Sequence, residues 1–241
     1  MPRENPFHYN RPTSPDDFIG RWLLVDQIAA DLRRSDSDSW AIIGGRRFGK
    51  SSVLKAIESR LMLRFDNHDE GQRVILPILV DLKRCKPDSE RHVYACILHY
   101  LCRSLQRGRV LTEDSISEQL HTISEGKDSI SFFSFEDALE DMTKFVEQNH
   151  GSFRLILLLD EIEAMTRYPW SEILFNQLRA LIYDGPLADA VKLVLTGSVK
   201  VVQVRHEGSP LLNAVKIAHL ESLSEHGLGT LIARGGKGIP D

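Results

Sequence analysis

The chain is poor in cysteine, has no long apolar run and carries almost no excess of one charge, and each shortage removes a class of protein. Three cysteines, Cys85, Cys96 and Cys102, are too few for a disulfide framework, and their spacing fits no structural zinc scheme. They read as ordinary reduced thiols. The longest apolar runs, around 41–43, 74–80 and 155–159, fall far short of the roughly 20 residues of a membrane span. No membrane partner is expected. Thirty Lys+Arg against 34 Asp+Glu leave a net charge of -4, so no bulk attraction to nucleic acid follows. The N-terminus, Met1-Pro2-Arg3-Glu4, has no apolar core of the secretory type, and a cytoplasmic address is the default.

What is present is an ordinary globular composition, 42% apolar and 27% charged in 241 residues, enough for one large domain. Pro2, Pro6, Pro12 and Pro15 make the first 17 residues an extended surface segment. A helix follows, capped by Asp16 or Asp17, with Trp22, Leu23, Val25, Ile28, Ala29 and Leu32 at helical spacing. Five β-type runs come next: Trp40 to Ile43, Val74 to Leu82, Leu155 to Leu159, Val191 to Leu195 and Val215 to Leu220. They alternate with helical patterns over Lys50–Arg64, His92–Gln106, Phe135–Gln148 and Trp170–Tyr183. The polar stretches Phe65–Gln72 and Arg107–Ser131 read as loops, the second as an insertion or mobile loop. Buried runs alternating with helices, without hairpin signals, predict an α/β fold with a parallel sheet covered on both faces. The division expected is an N-terminal segment 1–17, one domain over 18–222 and the start of a helical lid or tail over 223–241. Glu225 to Arg234 begins a further helix and the sequence then stops, which suggests that a following domain is missing.

The chemistry concentrates in Gly44-Gly45-Arg46-Arg47-Phe48-Gly49-Lys50-Ser51, followed by Ser52. Glycine, four residues, glycine, lysine and a hydroxyl residue form the phosphate-binding loop pattern. Glycines let consecutive backbone N–H groups curl around a phosphate, and the positive end of the next helix adds to the field. Lys50 would then neutralise β- and γ-phosphate oxygens while Ser51 offers its hydroxyl to Mg²⁺. A chance match in a chain of this length is on the order of 1% at ordinary glycine usage. This match also lies between a strand and a helix, where the chemistry requires it.

Asp160 and Glu161 close the third apolar run, so they emerge at the carboxyl edge of a parallel sheet, as the glycine loop does. Asp160 would hold Mg²⁺ directly or through its water shell. Glu161 would orient and deprotonate an attacking water, with Glu163 the weaker candidate. The fourth run ends in Thr196-Gly197-Ser198. If its strand lies between the other two, Thr196, or Ser198 second, can face the γ-phosphate or the water; a plain polar strand end is the alternative.

Asn5-Pro6-Phe7, Phe18-Ile19-Gly20-Arg21, the Gly44–Ser51 loop, Asp160-Glu161, Thr196-Gly197-Ser198 and Ser209-Pro210-Leu211-Leu212-Asn213 together resemble the prokaryotic AAA-like ATPases of the STAND class. These are related to the AAA+ and replication-initiator ATPases. The resemblance implies a three-layer αβα P-loop fold with a five-stranded parallel sheet, Mg-ATP as cofactor, and slow hydrolysis that resets a regulatory switch. It places Phe18, Ile19, Gly20 and Arg21 beside the adenine, although Phe18 and Ile19 also suit a hydrophobic staple for the first helix. It further implies a nucleotide-dependent homo-oligomer and an effector or sensor outside these residues. Arg179 or Arg205 could sense a γ-phosphate, in cis or across a subunit boundary. A DNA-associated loader is the alternative reading, ranked lower because no aromatic-basic platform appears. A non-catalytic nucleotide-binding scaffold ranks lower again because Glu161 is intact.

Overall fold

The five apolar runs form one parallel sheet in the order β2-β3-β4-β1-β5. The structure, a computed structural model, describes residues 12–62, 73–85, 87–108, 130–198 and 211–236. The strands are β1 (Ser39–Gly44), β2 (Val74–Asp81), β3 (Phe153–Asp160), β4 (Val191–Gly197) and β5 (Val215–Leu220). The helices are α1 (Trp22–Arg33), α2 (Lys50–Met62), the short α3 (Leu82–Cys85), α4 (Glu90–Gly108), α5 (Phe132–His150), α6 (Ser171–Arg179) and α7 (Glu225–Gly236). Among the described residues no helix is long and apolar enough to cross a membrane.

Strand alternation sorts the core into two faces. Trp40, Ile42, Ile156, Leu158 and Val194 pack against α1 and α2, joined by Ala218 and Leu220 of β5. Ala41, Ile43, Leu155, Leu157, Leu159, Leu193 and Leu195 point the other way, onto α4, α5 and α6. Both faces of β3 are therefore buried, which is why its sequence is an unbroken aliphatic run. The expected α/β fold with a five-stranded parallel sheet is what the chain adopts.

Four local expectations need correction. Asp16 and Asp17 do not cap α1: Pro15–Asp17 closes a separate 3-10 turn, and α1 begins at Trp22 behind Arg21, whose side chain makes no capping bond. Gly20, with φ +85°, breaks the path between the two, so helical geometry cannot extend back to the aspartates. The same turn means that the described part of the N-terminal segment is not wholly extended. The helix expected over Trp170–Tyr183 is α-helical only to Arg179 and then widens over Ala180–Asp184, where the Gly185 N–H reaches back to the Ala180 carbonyl (2.7 Å) ahead of Pro186. Finally, Cys85 at the end of α3 and Cys96 in α4 form a disulfide, Cα atoms 6.0 Å apart, rather than standing as thiols. Packing of α3 against α4 brings the two together across 11 positions, which spacing alone does not reveal. Cys102 is buried.

The loop at 65–72, residues 109–129 of the expected insertion, Asn5-Pro6-Phe7, Arg205 and Ser209-Pro210 lie outside the described residues.

Candidate functional site

The glycine loop leaves β1 at Gly44. A Cβ there would lie 2.9 Å from Leu220 Cβ and 3.0 Å from the Leu220 carbonyl on β5, so only glycine lets the strands stay paired at this point. The loop turns through two left-handed residues, Arg47 (φ 66°) and Gly49 (φ 81°), before α2 starts at Lys50. Left-handed residues in a short turn are what an anion nest requires for neighbouring amides to face one centre. Lys50 folds back over the turn, its Nζ donating to the carbonyls of Gly44 and Gly45 at 3.0 Å each. Ser51 and Ser52 occupy the first turn of α2, and the Ser52 hydroxyl accepts the Thr13 N–H at 3.1 Å. Arg46, Arg47 and Phe48 are exposed, with the Phe48 ring lying over Gly45.

Because all five strands are parallel, their carboxyl ends share one edge. β4 lies between β1 and β3, with Ile43 opposite Gly197 and Leu159 opposite Leu195. The glycine loop, Thr196-Gly197-Ser198 and Asp160-Glu161 therefore stand side by side in that order. This was the condition on which a role for Thr196 depended, and the sheet meets it.

Thr196 is fully buried. Its hydroxyl donates to Asp160 Oδ1 and accepts the backbone N–H of Glu161 at 3.0 Å. One hydroxyl thus fixes both acids, and the contacts make Thr196 a positioning group for the acid pair rather than one turned toward open space. Glu161 needs such a restraint. Its backbone is left-handed (φ 60°, ψ 50°), a conformation that costs a residue with a Cβ on the order of 1 kcal/mol.

One partner of the acids, and the polar groups around it, were not visible in the sequence. Lys83, in α3, forms an ion pair with Glu161 Oε2. Asp81, opposite Asp160 in the β2–β3 register, accepts the Lys83 N–H (3.1 Å) and pairs with Arg84 (3.2 Å). In sequence Asp81 and Leu82 close the β-type run Val74 to Leu82 and Lys83-Arg84 follow it with no motif of their own; the parallel β2–β3 pairing is the signal that would have placed them. Glu163 is half-buried, and its Oε2 has no hydrogen-bond partner among the described residues. Burial pushes its carboxyl above the usual range, with Lys50 and Lys83 pulling the other way and Glu161 adding to the rise.

The other expected residues are placed as follows. Phe18 is buried against Trp22 with ring centroids 5.1 Å apart, a contact with the first residue of α1 and not the N′–N4 pair of a staple. Ile19 is half-buried and Gly20 is exposed. Arg21 spans two elements, donating to the carbonyls of Phe48 and Glu221. Arg179 is occupied on its own helix end by Asp184 (3.0 Å) and the Tyr183 ring. Among the described residues no group of three or more His, Cys, Asp or Glu could hold a metal without further ligands.

The architecture is the αβα fold of the AAA+ class of P-loop ATPases. The ORC2 protein of Aeropyrum pernix, solved in ADPNP–ADP complexes, is similar with a TM-score of 0.67 and 17% identity, the match covering 95% of this chain and 55% of that one. The ORC1 protein of the same organism, solved in complex with DNA, gives 0.59 and 15%, covering 91% and 50%. CDC6P from Pyrobaculum aerophilum gives 0.53 and 12%, covering 100% and 53%. The chain spans about half the length of these structures, and at such identities the likeness is one of fold. No family model and no curated protein matches the sequence.

Proposed function

We propose that this chain is a Mg-ATP-binding and hydrolysing domain of the AAA-like, STAND type, in which the nucleotide acts as a regulatory switch. The observation that carries the reading is the common sheet edge, where the glycine loop of β1 and the Thr196-tied acids of β3 flank β4. The donor set fits magnesium. Mg²⁺ usually takes one or two protein ligands and completes its octahedron with water and phosphate oxygens, and the Ser51 hydroxyl and Asp160 supply that number. Magnesium, when bound, would neutralise charge building up between the β- and γ-phosphates.

The protein's own groups do the rest. The amides of residues 45–51 bind phosphate oxygens, and Lys50 exchanges the Gly44 and Gly45 carbonyls for them. Glu161 leaves Lys83 and takes a proton from the attacking water. Thr196 keeps Asp160 and the Glu161 backbone in place throughout. Phe18 to Arg21 border the base side, and residues from 223 onward begin the lid. ADPNP in the ORC2 structure supports adenine nucleotide as the ligand of this fold.

Glu161→Gln should retain ATP binding by calorimetry and lose phosphate release, whereas Lys50→Ala should lose ATP affinity. Unchanged affinity in Lys50→Ala removes the phosphate-loop assignment; unchanged turnover in Glu161→Gln removes Glu161 as the base. A second reading, a DNA-associated ATPase, draws on the DNA complex of ORC1. Stimulation of phosphate release by duplex DNA, weakening steeply with salt, would favour it.

A further inference from the structure

We propose that Arg21 is a positioning residue that couples the phosphate loop to the segment following β5, so that filling the loop reorders the region from Glu221 through α7. The inference rests on the phosphate-loop reading and goes beyond it by naming the path through which occupancy of the loop would be felt elsewhere.

The guanidinium spans the gap between two distant pieces of chain. Its Nη1 donates to the Phe48 carbonyl and its Nη2 to the Glu221 carbonyl, both at 2.6 Å. Phe48 belongs to the glycine loop, and Glu221 is the first residue beyond β5. A planar fork satisfies two carbonyls at once in fixed geometry; an ammonium on a flexible stem does not.

Contacts on either side of Arg21 tighten the link. A Cβ on Gly49 would lie 3.0 Å from Arg21 Nη1, so the last left-handed step of the loop rests directly on the guanidinium. A Cβ on Gly20 would lie 3.0 Å from Leu223 Cδ2 and 3.5 Å from Gly227 Cα, so the residue before Arg21 rests on the start of α7. β1 and β5 are paired in register as far as Gly44 opposite Leu220. The glycine loop leaves this paired edge on one side and the chain after Leu220 on the other, and Arg21 joins the two.

α7 is suited to respond. Leu228 and Ile232 are 48% and 58% exposed, and no atom of the described residues lies within 4 Å of a Cβ placed on Gly229. An element with so little buried surface opens at low free energy, and a small bias shifts its equilibrium. Amides that turn onto a phosphate would carry the Phe48 carbonyl with them, and the grip on Glu221 would follow. Coupling of this kind is reciprocal: whatever fixes α7 should also tighten nucleotide binding.

Hydrogen exchange of the whole chain, followed by mass spectrometry with and without saturating Mg-ATP, tests the proposal. Calorimetry supplies the affinity that defines saturation, and peptides from 155–159 report that the core is folded. In the wild type, ATP should slow exchange across 223–232 by roughly tenfold, the scale of one charge-assisted hydrogen bond gained or lost. In Arg21→Gln, and equally in Arg21→Lys, the slowing should fall below about twofold at an ATP concentration that calorimetry shows to saturate that variant. Arg21→Lys keeps the charge and most of the stem packing but not the fork, so wild-type slowing in that variant overturns the bridge. Wild-type slowing in Arg21→Gln, or no ATP effect on 223–232 in the wild type, also overturns it. Failure of the wild type to bind ATP defeats the phosphate-loop reading itself, and the coupling falls with it.

Discussion

Replacing Thr196 by valine removes one hydroxyl and changes almost nothing in shape, so it isolates what that oxygen does. Two bonds disappear: the donation to Asp160 and the acceptance of the Glu161 N–H. A hydrogen bond to a charged acceptor contributes about 1.5–3 kcal/mol, and a buried amide left without an acceptor costs about 1–3 kcal/mol. Asp160 is only half-buried, so water replaces part of its loss, and valine avoids the desolvation of a hydroxyl. The net expectation is about 2–3 kcal/mol of destabilisation, read from urea denaturation with an unchanged slope. Thr196→Ser keeps both bonds and removes one buried methyl, costing about 1 kcal/mol. The order is the test. If packing of the methyl governed this position, valine would be tolerated better than serine, and that result would refute the account of Thr196 as the tie between the acids. Turnover should follow the same order. Freed from its tether, the left-handed Glu161 backbone relaxes, and phosphate release in Thr196→Val should drop roughly 10- to 100-fold with little change in KM, consistent with a group that positions the base.

Lys83→Met should raise phosphate release about two- to fivefold at low salt, because the pair with Glu161 competes with proton abstraction; the small size reflects a lysine that is 59% exposed, and a fall in rate would count against it. Glu163→Gln should change the pH dependence of stability in a definite direction. Burial holds the Glu163 carboxyl above its unfolded value, so its contribution is fully present below the unfolded range and is lost as pH rises through the folded one; the melting temperature of the variant minus that of the wild type should increase from about pH 4 to about pH 8, and a flat difference would exclude the shift. Arg154→Met should destabilise the fold by about 2–4 kcal/mol, since the buried guanidinium binds the carbonyls of Leu32, Arg34, Ser35 and Asp189 and the hydroxyl of Ser37. Arg154 lies at the opposite sheet edge, so ATP affinity of the folded variant should stay at the wild-type value.

The two kinds of information in the chain were not equally legible. Leu155-Ile156-Leu157-Leu158-Leu159 could only be a strand buried on both faces, and the glycine loop could only follow such a strand, so the sheet and the place of Lys50 and Asp160 were open to reading. Partners supplied by a neighbouring strand were not. Lys83 looks like one cation of a polar run until β2 is laid beside β3. Arg21 reads as an adenine-side residue or a helix start, and nothing local announces that its guanidinium reaches a carbonyl 200 positions away. The cap assigned to Asp16 or Asp17 failed for a comparable reason: a favourable residue type was present, but Gly20 turned the chain before a helix could use it.

The internal partners of the site divide by their exposure. Lys50 lies over the carbonyls of Gly44 and Gly45, and Glu161 pairs with a largely exposed lysine; both contacts can be exchanged at little cost, because water and phosphate oxygens compete well there. Thr196 is sealed inside β4, where no solvent stands ready to replace what it gives Asp160 and the Glu161 amide. On the proposed function, a nucleotide entering this edge would meet groups of two kinds: a base and an ammonium that must change partners, and an aspartate that must not. In that proposal, reaction at the Glu161 carboxylate would require its side chain to move while its backbone stays still, and the hydroxyl in the adjacent strand would let one residue meet both demands.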